Sequence, residues 1–203
     1  MRYTISAGCG GGHNHGMHLA YTPEANTLIA DDPLALLIGM LLDQQIPMEK
    51  AFTSPYELRQ RLGGTLDAAT IAEYDPGAFE ELFRTPPALH RFPAAMARRV
   101  QELARVIANE YGGDASAVWS DASAGAELVA RLARLPGFGA QKAAILTALL
   151  GKQFGVQPPG WRQAAGTYGE DGVHRSVADV VDDASLTKVR SYKQQMKAAA
   201  KAK

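Results

Sequence analysis

Apolar residues in this chain recur at helical spacing and rarely alternate. From Pro33, the positions Leu34, Leu37, Ile38, Leu41 and Leu42 fall three and four apart, and Leu36 and Met40 add a second apolar side. That pattern predicts a central helix with few solvated positions. Residues 92–111 give the longest amphipathic stretch, with Met96, Val100, Leu103, Val106 and Ile107 on one face and Arg98, Arg99, Glu102 and Arg105 largely on the other. Gly112-Gly113 ends it, as a helix stop should. Further helices are expected over residues 124–134, over 140–150 with Gly151 closing, and over 184–202 after the candidate caps Asp182-Asp183. Asp32-Pro33, Ser54-Pro55 and Asp75-Pro76 each place a capping side chain before a proline, whose missing N–H costs nothing at the first helical position. Three helix starts are thereby predicted. With few alternating runs, no Asn-Gly turn and no repeat of solenoid period, the fold class expected is all-α.

Two stretches fall outside this pattern. Residues 153–172 are rich in Gly, Pro and polar side chains and read as a long loop. Residues 1–16 hold Gly8, Gly10, Gly11, Gly12 and Gly16 around Cys9, His13 and His15, and read as a flexible leader before a domain over 17–203. A transition-metal site from Cys9, His13, His15 and His18 is the alternative, but glycine-rich backbone makes a preorganised site costly, so no metal is expected. A cloning remnant or an upstream start before Met17 would also account for the leader.

Composition narrows the class without deciding it. The chain has 203 residues, 46% of them hydrophobic, enough for one compact domain or two small lobes. Lys+Arg and Asp+Glu number 21 each, so a basic footprint for nucleic acid must be local. The single Cys9 excludes an internal disulfide and a four-cysteine iron-sulfur cluster from this chain alone, and makes a cytoplasmic address the default. Spanning a bilayer takes roughly 20 consecutive apolar residues; the apolar run from Pro33 stops at Asp43-Gln44-Gln45, so no membrane association is expected.

The residues with a chemical reading cluster at a turn. Leu135-Pro136-Gly137-Phe138-Gly139 joins two predicted helices, and its glycines allow positive φ and close approach of backbone N–H groups to a phosphate. Such contacts hold a duplex without reading bases, and Lys142 adds a charge nearby. Alone, the segment equally suits an ordinary helix-to-helix corner. Together with Lys142-Ala143, however, it resembles the "LPGxGxxxA" signature of the helix-hairpin-helix (HhH-GPD) DNA glycosylase superfamily, and Leu150-Gly151-Lys152-Gln153-Phe154 is similar to the continuation in its adenine-glycosylase branch. Upstream, residues 38–45 resemble that family's helix ending in a glutamine pair, here Gln44-Gln45, beside the loop that wedges into the base stack. A solvated helix end closed by Pro47 is the alternative for that pair.

The resemblance implies a two-lobed helical bundle that kinks duplex DNA and flips one nucleotide into the cleft between lobes. It implies DNA contacts by Gly137, Phe138, Gly139, Gln141, Lys142, Gln44 and Gln45, and no cofactor. The family's lysine nucleophile stands two residues after the second glycine, where this chain has Gln141; Lys142 is turned about 100° away. Lyase activity is therefore not expected. The family's aspartate falls on Pro158, and residues 151–169 contain no Asp or Glu. Asp179, flanked by apolar residues, and then Asp171 are the candidate replacements; near Asp182-Asp183 an acid is commonly a cap or a solvated charge.

Trp161 and Tyr168 are candidates for a base pocket, with Arg162 and His174 nearby, the alternative being that Trp161 anchors the loop. The basic tail, Lys188, Arg190, Lys193, Lys197, Lys201 and Lys203, suits phosphates or a solvated terminal helix. The function expected is a monofunctional DNA N-glycosylase of base-excision repair acting on damaged or mismatched duplex DNA, as a monomer in the cytoplasm, nucleoid-associated if bacterial. A damaged-DNA-binding module without catalysis, favoured by the missing aspartate, and a protein-interaction domain are the alternatives.

Overall fold

The computed structural model describes residues 16–201, and among these there is helix but no strand. The helices are α1 (Pro23–Asp31), α2 (Pro33–Leu42), α3 (Met48–Arg61), α4 (Ala68–Glu73), α5 (Pro76–Arg84), α6 (Pro93–Glu110), α7 (Gly125–Ala133), α8 (Ala140–Gln153), α9 (Trp161–Ala164) and α10 (Asp183–Lys201). Short 3-10 turns lie at Ala115–Val118, Gly166–Tyr168 and Val177–Asp179. The all-α expectation holds, and the packing falls into two groups. In one, α1, α2 and α3 pack together and α6 carries α4 and α5; in the other, α8 is flanked by α7, α9 and the Val177–Asp179 turn, against which α10 begins.

The predicted central helix is central. Every residue of α2 except Pro33 is buried, so its apolar side chains are removed from water, which favours folding. Asp32 starts it by accepting from the N–H groups of Leu34 and Ala35, and Asp75 starts α5 in the same way through Ala78. Ser54-Pro55 does not start a helix. α3 begins at Met48 and runs through Pro55, because the Ser54 hydroxyl is buried and donates to the carbonyls of Lys50 and Leu89 instead of capping.

Residues 153–172 are more ordered than composition suggested, since α9 and the Gly166–Tyr168 turn sit within them. Trp161 supplies the anchor: its ring packs on Gly151 of α8 and its backbone on Gly125 of α7. Of the leader's metal candidates, Cys9, His13 and His15 lie outside the described residues, and His18 pairs with Asp183 at 3.0 Å. Among the described residues no cluster of three His, Cys, Asp or Glu side chains is placed to hold a metal ion, and no single helix is long and apolar enough to cross a membrane.

A Cβ at Gly125 would stand 2.4 Å from the Trp161 Cα, and one at Gly151 2.4 Å from its ring. Gly125→Ala and Gly151→Ala should each destabilise the protein by about 1–3 kcal/mol or more in urea titrations, Gly125→Ala the more, because backbone cannot swing aside. Wild-type stability in both variants would remove Trp161 as the anchor.

Candidate nucleic-acid interface

The turn between α7 and α8 is a helical hairpin. Gly137 takes φ +82°, a region that favours glycine, and a Cβ there would lie 3.2 Å from the Leu41 side chain, so the turn is seated on the end of α2. Phe138 is 4% exposed, and its N–H donates to the Leu135 carbonyl. Phe138 is expected among the DNA contacts; its ring packs in the core beneath the turn. Gly139 is exposed and opens α8 with no side-chain cap, and a Cβ there would meet nothing within 4 Å. The N–H groups of the first turn of α8 thus lack the partner a cap would provide, and with the helix dipole they make a site for an anion. Exposed Gln141 borders that turn, its amide donating to the Tyr168 hydroxyl at 2.9 Å.

Beside the hairpin, α2 ends at Leu42 and the chain turns through residues 43–47. The two glutamines part company there. Gln44 is tied down: its amide donates to the Leu41 carbonyl at 2.8 Å, its side-chain oxygen accepts from Arg99 at 3.2 Å, and its backbone carbonyl accepts from His90 Nε2 at 3.0 Å. Gln45 is exposed, takes φ +58°, and its side chain makes no hydrogen bond among the described residues. A non-glycine residue at positive φ costs of order 1 kcal/mol and persists where its surroundings fix it.

Lys142 does not lie out along the hairpin surface. Its Nζ donates to the Leu41 carbonyl at 3.0 Å and stands 5.8 Å from the centre of the Phe138 ring. Burial lowers its pKa to about 8, with the charge of Asp43 opposing that shift and that of Arg99 adding to it. Asp43, the acid at the end of α2, has a side chain 17% exposed and faces Lys193 of α10 at 4.0 Å. One turn earlier on α10, Arg190 pairs with buried Glu49 of α3. The basic tail therefore begins by packing along the glutamine loop.

The candidate acids downstream are elsewhere. Asp179 is buried, with one oxygen accepting from Lys152 Nζ at 2.6 Å and the other from the N–H groups of Arg175 and Ser176 at 2.8 and 3.1 Å. It closes a capping box with Ser176, and Lys152 is about 15 Å further along α8 than Lys142. Asp179, expected as the catalytic acid, has both oxygens taken up by Lys152 and the capping box. Asp171 is exposed and pairs with Arg162 at 2.6 Å. Trp161 is 6% exposed, between Gly151 and an Arg162 guanidinium 4.5 Å from its ring; no face is left for a base, so of the pocket candidates Tyr168 alone, partly exposed beside Gln141, borders the hairpin. The acid beside the glutamine loop is Asp43, which lines a groove with Ile46 and Pro47 of that loop and Lys193 of α10, and which the sequence pattern did not single out. Its signal was present, since it directly precedes Gln44-Gln45.

A two-group helical fold carrying an uncapped, glycine-opened hairpin beside a fixed polar loop defines a helix-hairpin-helix DNA-binding protein. Residues 38–203 match the HhH-GPD superfamily base excision DNA repair proteins, and the chain belongs to that superfamily. No curated protein matches it.

His90 yields a pH test. The Phe92 N–H donates to its Nδ1 at 3.1 Å, so Nε2 carries the proton given to Gln44, and the ring is neutral. Burial lowers its pKa below the ordinary 6.5, so as pH falls the unfolded chain takes up this proton first. Its contribution to stability is full above about 6.5 and is lost as pH drops toward the folded value. Urea midpoints should fall as pH drops below 6.5, in a window above the carboxylate range, and His90→Gln should flatten that slope. An unchanged slope would contradict the assignment.

Proposed function

We propose that this protein is a monofunctional DNA N-glycosylase of base-excision repair. It grips one strand of a duplex with the first turn of α8 and inserts Gln45 where a damaged or mismatched base leaves the stack. The observation that carries the reading is the exposed, uncapped start of α8 at Gly139, set beside a loop whose outward residue is unbonded Gln45. Flipping costs a few kcal/mol, least at a lesion, so a side chain held ready to fill the gap favours damaged sites. The protein acts alone on double-stranded DNA and needs no cofactor. A second reading, a damage-binding module without base release, is favoured by the commitment of Asp179 to Lys152 and to the capping box.

Gly139→Asp separates fold from grip. The new side chain has open space, and as an N-cap it holds or slightly raises stability, while its charge and its claim on the same N–H groups oppose a phosphate. Duplex affinity should fall about tenfold or more with no drop in thermal midpoint, an effect of the size of one or two charge-assisted contacts. Equal affinity in variant and wild type would sink both DNA readings.

Lys142 spends its amine on the Leu41 carbonyl, so borohydride reduction in the presence of abasic duplex should trap no covalent adduct. A trapped species lost in Lys142→Gln would make the enzyme bifunctional. Alkali-revealed abasic sites in duplexes bearing alkylated, deaminated or oxidised bases distinguish the glycosylase from the binding module.

A further inference from the structure

We infer that Asp43 supplies the carboxylate of the reacting centre, next to the sugar from which the base departs. The inference rests on the glycosylase reading above and adds the residue that reading lacks.

The acids downstream of the hairpin are already occupied. Asp179 has both oxygens bonded, Asp171 is paired with Arg162 in solvent, and Glu170 pairs with Arg175 at 3.0 Å. Asp43 differs in position and in commitment. It follows α2 directly, two residues after Leu41, whose side chain supports Gly137 and whose carbonyl holds Lys142, and two residues before Gln45. Its side chain is largely shielded, yet it makes no hydrogen bond among the described residues, and Lys193 stands at the 4.0 Å outer limit of an ion pair. A shielded carboxylate with no hydrogen bond among the described residues, lining the groove between the glutamine loop and α10, has the properties a charge-stabilising group requires.

Positive charge stands near this acid, with Lys193 Nζ at 4.0 Å. Lys142 and Arg99 are close enough to feel each other's charge, and Lys193 adds a third. These attract phosphate, but they also oppose a sugar that develops positive charge. An anion beside them offsets that opposition, and Asp43 stands 4.0 Å from Lys193 and near enough to Lys142 for its charge to act there.

The step balances with water alone. The bond from C1′ to the base nitrogen breaks and its electron pair leaves with the base, which takes a proton from solvent. Positive charge gathers on the sugar beside Asp43. A water oxygen forms the new bond to C1′, and its proton passes to the Asp43 carboxylate and on to solvent.

The test uses the full chain and its Asp43→Asn, Asp43→Glu and Asp179→Asn variants. Release of bases is measured on the lesion duplexes, affinity on a duplex carrying a tetrahydrofuran abasic analogue, and folding by thermal melting. Asp43→Asn should lose base release by about a hundredfold or more, the scale of removing one preorganised charge-stabilising group, with affinity and melting close to wild type. Asp43→Glu should recover part of the loss, and Asp179→Asn should melt earlier but release bases when folded.

Base release by Asp43→Asn close to the wild-type rate would overturn the inference, as would its abolition in folded Asp179→Asn alone. Wild-type binding to the abasic duplex without release of any base would overturn it and leave the damage-binding reading standing. Failure of the wild type to bind at all would overturn the glycosylase reading with it.

Discussion

The carbonyl of Leu41 is one of the points at which the two helical groups are joined. It lies in the last turn of α2, where helical carbonyls lack a partner in their own helix, and it accepts from Gln44 Nε2 at 2.8 Å and from Lys142 Nζ at 3.0 Å. An unmet acceptor in a helix buried this deeply would cost about 1–3 kcal/mol, and a lysine ammonium there also suits the negative end of the helix dipole. One bond comes from the chain immediately after α2 and the other from the hairpin helix. The glutamine loop and the gripping turn are therefore held against the same atom.

The interface inherits its geometry from that junction. Gly137 can rest on the Leu41 side chain because it has no Cβ and takes positive φ, while Phe138 fills the space beneath. Gln44, His90 and Arg99 hold the loop from the α6 side, and α10 holds it from the other through Lys193 and Arg190. What remains unfastened is Gln45 and the first turn of α8, the two features that face outward. Rigid support behind a few free polar groups is how a site on loops attains a defined geometry.

Charge follows the same logic. The chain is neutral as a whole, yet folding brings Lys193 to Asp43, and Arg99 to Gln44 next to it. Acids elsewhere are drawn into structural work: Asp32 and Asp75 cap helices, and Asp179 neutralises Lys152 while closing a turn. A net count of zero thus conceals a local cationic rim.

The sequence by itself determined the all-α class, most of the long helices, the hairpin and the family. Leu34 to Leu42 repeat at helical spacing, Asp32-Pro33 and Asp75-Pro76 are local start signals, and Gly137 is required by the positive φ of the turn, so all of these are legible within a few residues. Ser54-Pro55 shows where local reading stops, because burial against the Leu89 carbonyl reassigns a side chain that sequence alone makes a cap. The surroundings of Asp43, Lys142, Phe138, Trp161 and Asp179 were decided only by tertiary structure. Each depends on a partner far along the chain, as Lys142 on Leu41 does, and whether an acid is bonded on both oxygens or left uncommitted is set by which distant groups the packing brings to it.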